Sequence, residues 1–176
     1  MTFGLPHAIL IIILIVCSAW LFLVSFSRHA GPIFKPTSFK KVKLMISLAK
    51  VKKGDLVVDL GSGDGRILIE AAKRGAKAIG YEIDPFLVLK SRKEIKKAGL
   101  SNLAKVYWKS FWLADLKEPT VITTYLFPKY MDKLYLLLKK NRPTNLRLVS
   151  NRYQFSRKKS IKSKNGIYLY LFNRSS

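Results

Sequence analysis

Three acidic residues and three glycines carry the chemistry legible in this chain. Gly61, Gly63 and Gly65 follow the apolar run Leu56–Leu60; Asp59 stands two residues ahead of them, Ser62 and Asp64 lie among them, and Glu82 follows about twenty residues later. A Val- and Leu-rich run reads as a buried parallel strand. The glycines let the backbone turn sharply and approach a ligand closely. Ile67 to Arg74 then reads as a helix, and strand, turn and helix start together form a nucleotide-type cofactor site. The spacing is not that of a dinucleotide fingerprint, and Asp59 and Asp64 would repel a pyrophosphate. Two carboxylates suit a ligand with a positive centre and an amino group. S-adenosylmethionine has a sulfonium, an α-ammonium and no phosphate. Glu82, ending the short strand Ala78–Glu82, stands where an acid accepts from both ribose hydroxyls. The bland alternative is a tight turn without a ligand; the strand-end acid at this separation argues against it.

The elements that must hold these residues alternate between strand and helix. Ser38 caps a helix running to about Ala49, with Val42, Met45, Ile46 and Ala49 on one face. Asp84-Pro85 starts a second helix that Gly99 stops. Ala104–Trp108 reads as the third strand, and Ser110-Phe111 follow where such folds present a polar side chain to adenine. Thr120–Leu126 is the fourth strand, 130–140 a helix and Leu146–Ser150 the fifth strand. Lys164-Asn165-Gly166 signals a hairpin into the alternating Ile167–Phe172. The expected fold is α/β: a Rossmann-like seven-stranded sheet with helices on both faces, its cofactor at the C-terminal strand ends.

At 176 residues the chain allows one domain and an appendage. Ala8 to Phe26 is free of charge and, at ~1.5 Å per residue, reaches ~28 Å, enough to cross a hydrocarbon core. No basic residue precedes it, which disfavours a cleaved signal peptide. The boundaries read as a transmembrane helix at 8–27, a juxtamembrane, cofactor-covering segment at 28–37 and the domain at 38–176. Arg28, Lys35, Lys40, Lys41 and Lys43 follow the apolar run, so the positive-inside rule places the domain in the cytoplasm.

The formal net charge is +23, and all ten acidic residues fall between Asp55 and Asp132. The basic surface outside that interval is read as a face for anionic lipid headgroups. RNA binding and a merely solvated surface are the alternatives. The single Cys17 excludes an intramolecular disulfide and a cysteine-based metal site, and no metal is expected. His7 and His29 both lie near the apolar run, so the chemistry proceeds without a catalytic histidine.

Residues 58–67 (VDLGSGDGRI), Gly80-Tyr81-Glu82-Ile83 and Val149-Ser150 resemble the class I, seven-β-strand methyltransferases. More narrowly, the chain is similar to a protein-lysine methyltransferase group that includes the archaeal broad-substrate enzyme and the mitochondrial enzymes acting on the ATP synthase c-subunit and the adenine nucleotide translocase. The resemblance covers roughly Pro32 to Phe172. The group's Pro-Tyr-x-Pro-Thr/Ala segment aligns with Ile33–Thr37, Phe34 replacing the tyrosine and losing its hydroxyl. The resemblance implies that Phe34, Pro36 and Thr37 cover the cofactor, with Asp59, Gly61, Ser62, Gly63, Asp64, Gly65, Glu82, Ile83, Ser110 and Phe111 as the other cofactor residues. It implies methyl transfer to an accessible lysine of a protein substrate; separately, the chain is expected to be a monomer. Tyr125, Phe127 and Phe111 are candidates for lining the acceptor channel, with Thr123 or Thr124 beside them; core packing is their alternative role. A lipid, quinone or RNA acceptor is a second reading, and a non-catalytic cofactor-binding domain at the membrane a third.

Overall fold

The computed structural model describes residues 5–30, 35–141 and 145–173. The chain divides into two compact units, Met1–Ile33 and Phe34–Ser176. The first holds helix α1 (Leu5–Ala30), whose described apolar side chains from Ile9 to Phe22 are largely exposed. Among the described residues, no helix is long and apolar enough to cross a membrane. The side chains of α1 described without interruption run only from Pro6 to Phe22, so the expected span at 8–27 lies partly outside them.

The second unit follows the alternation read from the sequence: α2 (Phe39–Leu48), β1 (Leu56–Leu60), α3 (Arg66–Ala72), β2 (Lys77–Glu82), α4 (Pro85–Lys97), β3 (Ala104–Trp108), a 3-10 turn (Phe111–Leu113), β4 (Val121–Thr124), α5 (Pro128–Asn141), β5 (Leu146–Asn151), β6 (Lys162–Lys164) and β7 (Ile167–Phe172). The strands form one seven-stranded sheet in the order β3-β2-β1-β4-β5-β7-β6. β1 to β5 are parallel, and β7 pairs antiparallel with β5 and β6. Asn165 and Gly166, both at positive φ, make the two-residue turn between β6 and β7, a conformation that matches strand twist. β4 is shorter than expected, ending at Thr124, and α5 begins two residues early with Pro128 at its first position, where a missing N–H costs nothing.

Side-chain alternation divides the core between the two faces of the sheet. Val57, Ala78, Val106, Val121 and Val149 pack with residues of α2, α3 and α4. Val58, Leu60, Ile122 and Leu148 pack with Met131, Leu134 and Leu138 of α5 and with Phe111. Both faces are covered, which is why the central strands are apolar throughout instead of alternating.

At the N-terminal strand ends, the Arg147 guanidinium donates to the Ala49 and Lys50 carbonyls at 2.7 and 3.1 Å and pairs with Asp55. Asp55 is buried and also accepts from Thr120 Oγ1 and the Lys52 N–H. One cation thereby ties the end of α2 to the starts of β1, β4 and β5. Replacing Arg147 by alanine leaves a buried carboxylate without its cation. The expected cost is about 3 kcal/mol, or ~6–12 °C in thermal melting. Cofactor affinity below the transition should be unchanged, because the other strand ends carry the site.

Candidate active site

Strand order reverses between β1 and β4, since the chain proceeds from β1 outward through β2 to β3 and then returns to β4 and on to β5. That reversal opens a crevice at the C-terminal strand ends, the standard ligand position in open α/β sheets. Asp59 ends up beside Thr123 in the parallel register, and Leu60 beside Thr124.

The loop leaving β1 leans on the end of β2. Gly61, Gly63 and Gly65 have φ of +85°, +54° and +80°, the left-handed region that favours glycine. The Gly61 and Ser62 N–H groups both donate to the Tyr81 carbonyl at 3.0 Å. Gly63 donates to Glu82 Oε2 at 2.8 Å, while Glu82 Oε1 accepts from the Ile83 and Asp84 N–H groups at 2.8 and 2.9 Å. Glu82 is therefore a buried acceptor that shapes the loop from the end of β2. A carboxylate offers about four acceptor positions, so three backbone donors leave capacity for a ligand hydroxyl.

This close stacking explains Gly80. A Cβ there would lie 2.5 Å from Ser62 Oγ, 2.6 Å from Ser62 Cβ and 2.7 Å from Leu68 Cδ1. Gly80→Ala is expected to push the loop off β2, weakening cofactor binding about tenfold or more in calorimetry. Its stability cost is about 1–3 kcal/mol, the usual range for overpacking.

The two loop acids have different partners. Asp59 is buried and accepts from Thr123 Oγ1 at 2.8 Å. Burial pushes its carboxyl up to about 7; the Thr123 hydroxyl opposes this, and Glu82 and Asp64 add to it. Asp64 instead forms a bidentate pair with Arg66 (2.8 Å to Nε, 2.6 Å to Nη2), with Lys90 at 3.7 Å. Burial would raise its carboxyl, but Arg66 outweighs that and holds it below the ordinary carboxylate value. Both acids suited a cationic ligand on sequence grounds. The folded chain neutralises Asp64 internally, which leaves Asp59 as the loop carboxylate without a cation.

Arg66 has a second role. Its Nη1 donates to the Thr37 carbonyl at 2.7 Å, and its guanidinium lies 4.8 Å from the Phe39 ring centroid. Thr37 is buried and its hydroxyl accepts from Asn151 Nδ2 at 3.1 Å, so the segment ahead of α2 is pinned at Thr37 to both α3 and β5. Pro36 is exposed beside it. Phe34 lies outside the described residues. Ile83 and Ser110 are half-buried just past β2 and β3.

The aromatic candidates separate. Phe111 is buried in the core below the sheet with Trp112 against it at 4.6 Å, so core packing is the role the structure gives it. Tyr125 and Phe127, just past β4, instead meet Tyr153, just past β5, at ring-centroid distances of 6.1 and 5.6 Å. Arg152 lies over the Tyr153 ring at 5.5 Å. Ser150 Oγ donates to the Tyr153 carbonyl at 2.6 Å and fixes the turn. Asn151, Arg152 and Tyr153 were not singled out in the sequence. Their position immediately after a parallel strand was the available signal.

S-adenosylmethionine fits this arrangement. A Cβ on Gly61 would meet nothing within 4 Å, so the backbone is open to a ligand there. Beside Leu60, Thr124 Oγ1 is buried without a hydrogen-bond partner, and Asp59 is a buried acid lacking a cation. Asp59, Glu82 and the glycine loop are the residues that would hold the cofactor. No group of three or more metal-ligating side chains occurs among the described residues.

The ANTKMT methyltransferase domain family matches residues 59–162. Among characterised proteins, the chain is 34% identical over 148 residues to a protein-lysine N-methyltransferase of Saccharolobus islandicus, covering 78% of this chain and 92% of that one. It is 33% identical over 122 residues to the human lysine N-methyltransferase of the ATP synthase c-subunit, covering 69% of this chain and 52% of the relative, so it spans about half of that protein's length. Among solved structures, an RNA methyltransferase from Salinibacter ruber with S-adenosyl-L-homocysteine bound is 37% identical, with a TM-score of 0.76 over 79% of this chain and 94% of that one. With the glycine loop, Asp59 and Glu82 set in this sheet, the chain belongs to the ANTKMT methyltransferase domain family and is an S-adenosylmethionine-dependent methyltransferase.

Proposed function

We propose that the chain is a protein-lysine N-methyltransferase, anchored in a membrane by its N-terminal apolar helix with the domain on the cytoplasmic side. The observation that carries the lysine assignment is the aromatic group of Tyr125, Phe127 and Tyr153, which already holds a guanidinium against a ring face. Aromatic faces attract cationic side chains, so this is a seat for an alkylammonium group. The names of the archaeal and human relatives support the same acceptor. The uncharged run from Ala8 to Phe26, the exposed apolar side chains of α1 and the basic residues that follow support the anchor and its orientation.

When bound, S-adenosylmethionine supplies a methyl carbon already activated by its sulfonium. The chain has to hold the amine within ~3–3.5 Å of that carbon and in line with the leaving sulfur. It also has to admit the amine in its neutral form, which apolar surroundings favour by penalising the charged one. Tyr125, Phe127 and Tyr153 receive the lysine as its ammonium, and the proton passes to solvent before the amine reaches the methyl carbon; Thr123 Oγ1 donates to Asp59.

RNA is the second reading, favoured by the net charge of +23 and by the Salinibacter ruber relative. Incubation of the full chain with methyl-labelled cofactor and a membrane extract decides between them. Label recovered on lysine after acid hydrolysis is the expected result. Label that resists protease and is released by ribonuclease, or that partitions with lipid, overturns the lysine assignment.

A further inference from the structure

The exposed aromatic residues of the catalytic unit are not scattered. Phe39, Phe86, Tyr107, Trp108 and Phe127 are each between 43% and 68% exposed. Each sits at or just beyond the C-terminal strand ends. Phe86 opens α4 straight after β2, Tyr107 and Trp108 end β3, and Phe127 follows β4. Phe39 follows Thr37, which is held by Arg66 and Asn151 at the same ends. Leu113 in the 3-10 turn after β3, 68% exposed, belongs to the same rim. The exposed apolar residues of the other elements, Leu89, Leu136, Ile161 and Leu171, are single aliphatic side chains. Isolated exposed aliphatics need no explanation, whereas a ring of aromatics around a site mouth does.

Lysines interleave with this ring. Lys40 follows Phe39, Lys109 follows Trp108 and Lys129 follows Phe127 by two residues, all exposed. The acids at this pole are mostly withdrawn: Asp59, Asp64 and Glu82 are buried, and Asp84 caps α4 through the Phe86 and Leu87 N–H groups. Asp115, beyond the 3-10 turn, is the exposed carboxylate that follows the rim in sequence. Amphipathic rings that sit at headgroup level, together with basic side chains, form the composition that rests on an anionic bilayer. The segment Lys35–Thr37, which in sequence follows the apolar helix, is also pinned at this pole.

From these placements we infer that the site-bearing pole of the domain lies on an anionic lipid surface, with Phe86, Trp108, Leu113 and Phe127 at headgroup depth and Lys40, Lys109 and Lys129 against the phosphates. The active-site mouth then opens at the membrane–water interface, and the acceptor lysine is one presented there. This inference rests on the membrane reading above, and the test separates the two.

The test uses the full chain with Trp20→Phe and Trp112→Phe, so that Trp108 is the remaining tryptophan of three. Trp112 packs on Phe111 and Tyr130, so retained S-adenosylhomocysteine binding is the check that the fold survives. The chain is reconstituted into phosphatidylcholine vesicles with or without phosphatidylglycerol, using brominated acyl chains as quenchers. Trp108 emission is expected to fall at least twofold in brominated anionic vesicles, and to recover in high salt or with Lys109→Glu and Lys129→Glu together. Flotation with the vesicles but no change in Trp108 emission overturns this inference and leaves the anchor standing. Equal quenching with and without phosphatidylglycerol overturns the anionic recognition. Shielding of Trp108 only after addition of membrane-protein extract shows a protein partner on this face and also overturns it. Failure to float with either vesicle overturns the anchor and this inference together.

Discussion

Glu82→Ala is expected to remove measurable cofactor binding and to lower the stability of the domain at the same time. Glu82 accepts N–H groups from Gly63, Ile83 and Asp84, and the alanine leaves all three without their partner in a largely buried setting. An orphaned buried donor costs about 1–3 kcal/mol. Some of the three will find water once the loop relaxes, so an overall loss of about 3 kcal/mol is the expected figure. The glycine loop loses its attachment through Gly63, and the ligand loses a ribose acceptor. Affinity for S-adenosylhomocysteine by calorimetry should fall at least 100-fold. Glu82→Gln separates the two roles. Its carbonyl oxygen still accepts one or two backbone N–H groups, so stability should recover in part while ribose recognition remains impaired. Full affinity in the glutamine variant would show that the side chain serves only the loop.

Asp59→Asn should act in the opposite direction on stability. In the ligand-free domain the Asp59 carboxyl stands at about 7 against an ordinary 3.8, chiefly because it is buried. The neutral form is thus favoured by folding, and between about pH 4 and 7 the folded chain holds a proton that the unfolded chain has released. Stability contributed by this group falls as pH rises through that window and is lowest above pH 7. At about 1.4 kcal/mol per pH unit the penalty is bounded near ~4 kcal/mol. Asparagine carries no charge and still accepts from Thr123 Oγ1. The ligand-free variant should therefore melt several degrees above wild type at pH 8, by about 2 kcal/mol after relaxation, and the difference should vanish near pH 4.

The same substitution should weaken cofactor binding about 30- to 150-fold at pH 8, the value of a charge-assisted hydrogen bond of ~2–3 kcal/mol. Wild-type affinity should fall about tenfold per pH unit below 7, since the carboxyl must lose its proton to meet a cationic ligand. The variant should show no such slope. A wild-type affinity flat between pH 6 and 8 would mean that Asp59 does not pair with the ligand cation.

These two acids were legible because their positions relative to a strand and a glycine turn have few uses. The order of elements was legible for the same reason: apolar runs buried on both faces, the Asp84-Pro85 helix start, and the Asn165-Gly166 turn all state local preferences strongly. The ends of β4 and α5 were read less accurately. Tyr125 and Leu126 have strand-like composition, but the chain leaves the sheet at Thr124 to bring Pro128 to the first turn of a helix.

Partnerships between side chains were not legible. Asp64 looked equivalent to Asp59 in the sequence, yet Arg66, two residues away, turns back onto it and also reaches Thr37. Phe111 looked as suitable for an acceptor channel as Phe127, but the 3-10 turn directs it into the core while Phe127 meets Tyr153. The sequence alone determined a glycine-turn cofactor site with its acids, a parallel α/β sheet and an uncharged N-terminal run, because these depend on neighbours within a few residues or on a repeated pattern of burial. Only the tertiary structure decided which acid is left without a cation, which aromatics meet beyond β4 and β5, and that the exposed aromatics gather around one pole. Those outcomes depend on strand order and on where long side chains end, and no local preference encodes either.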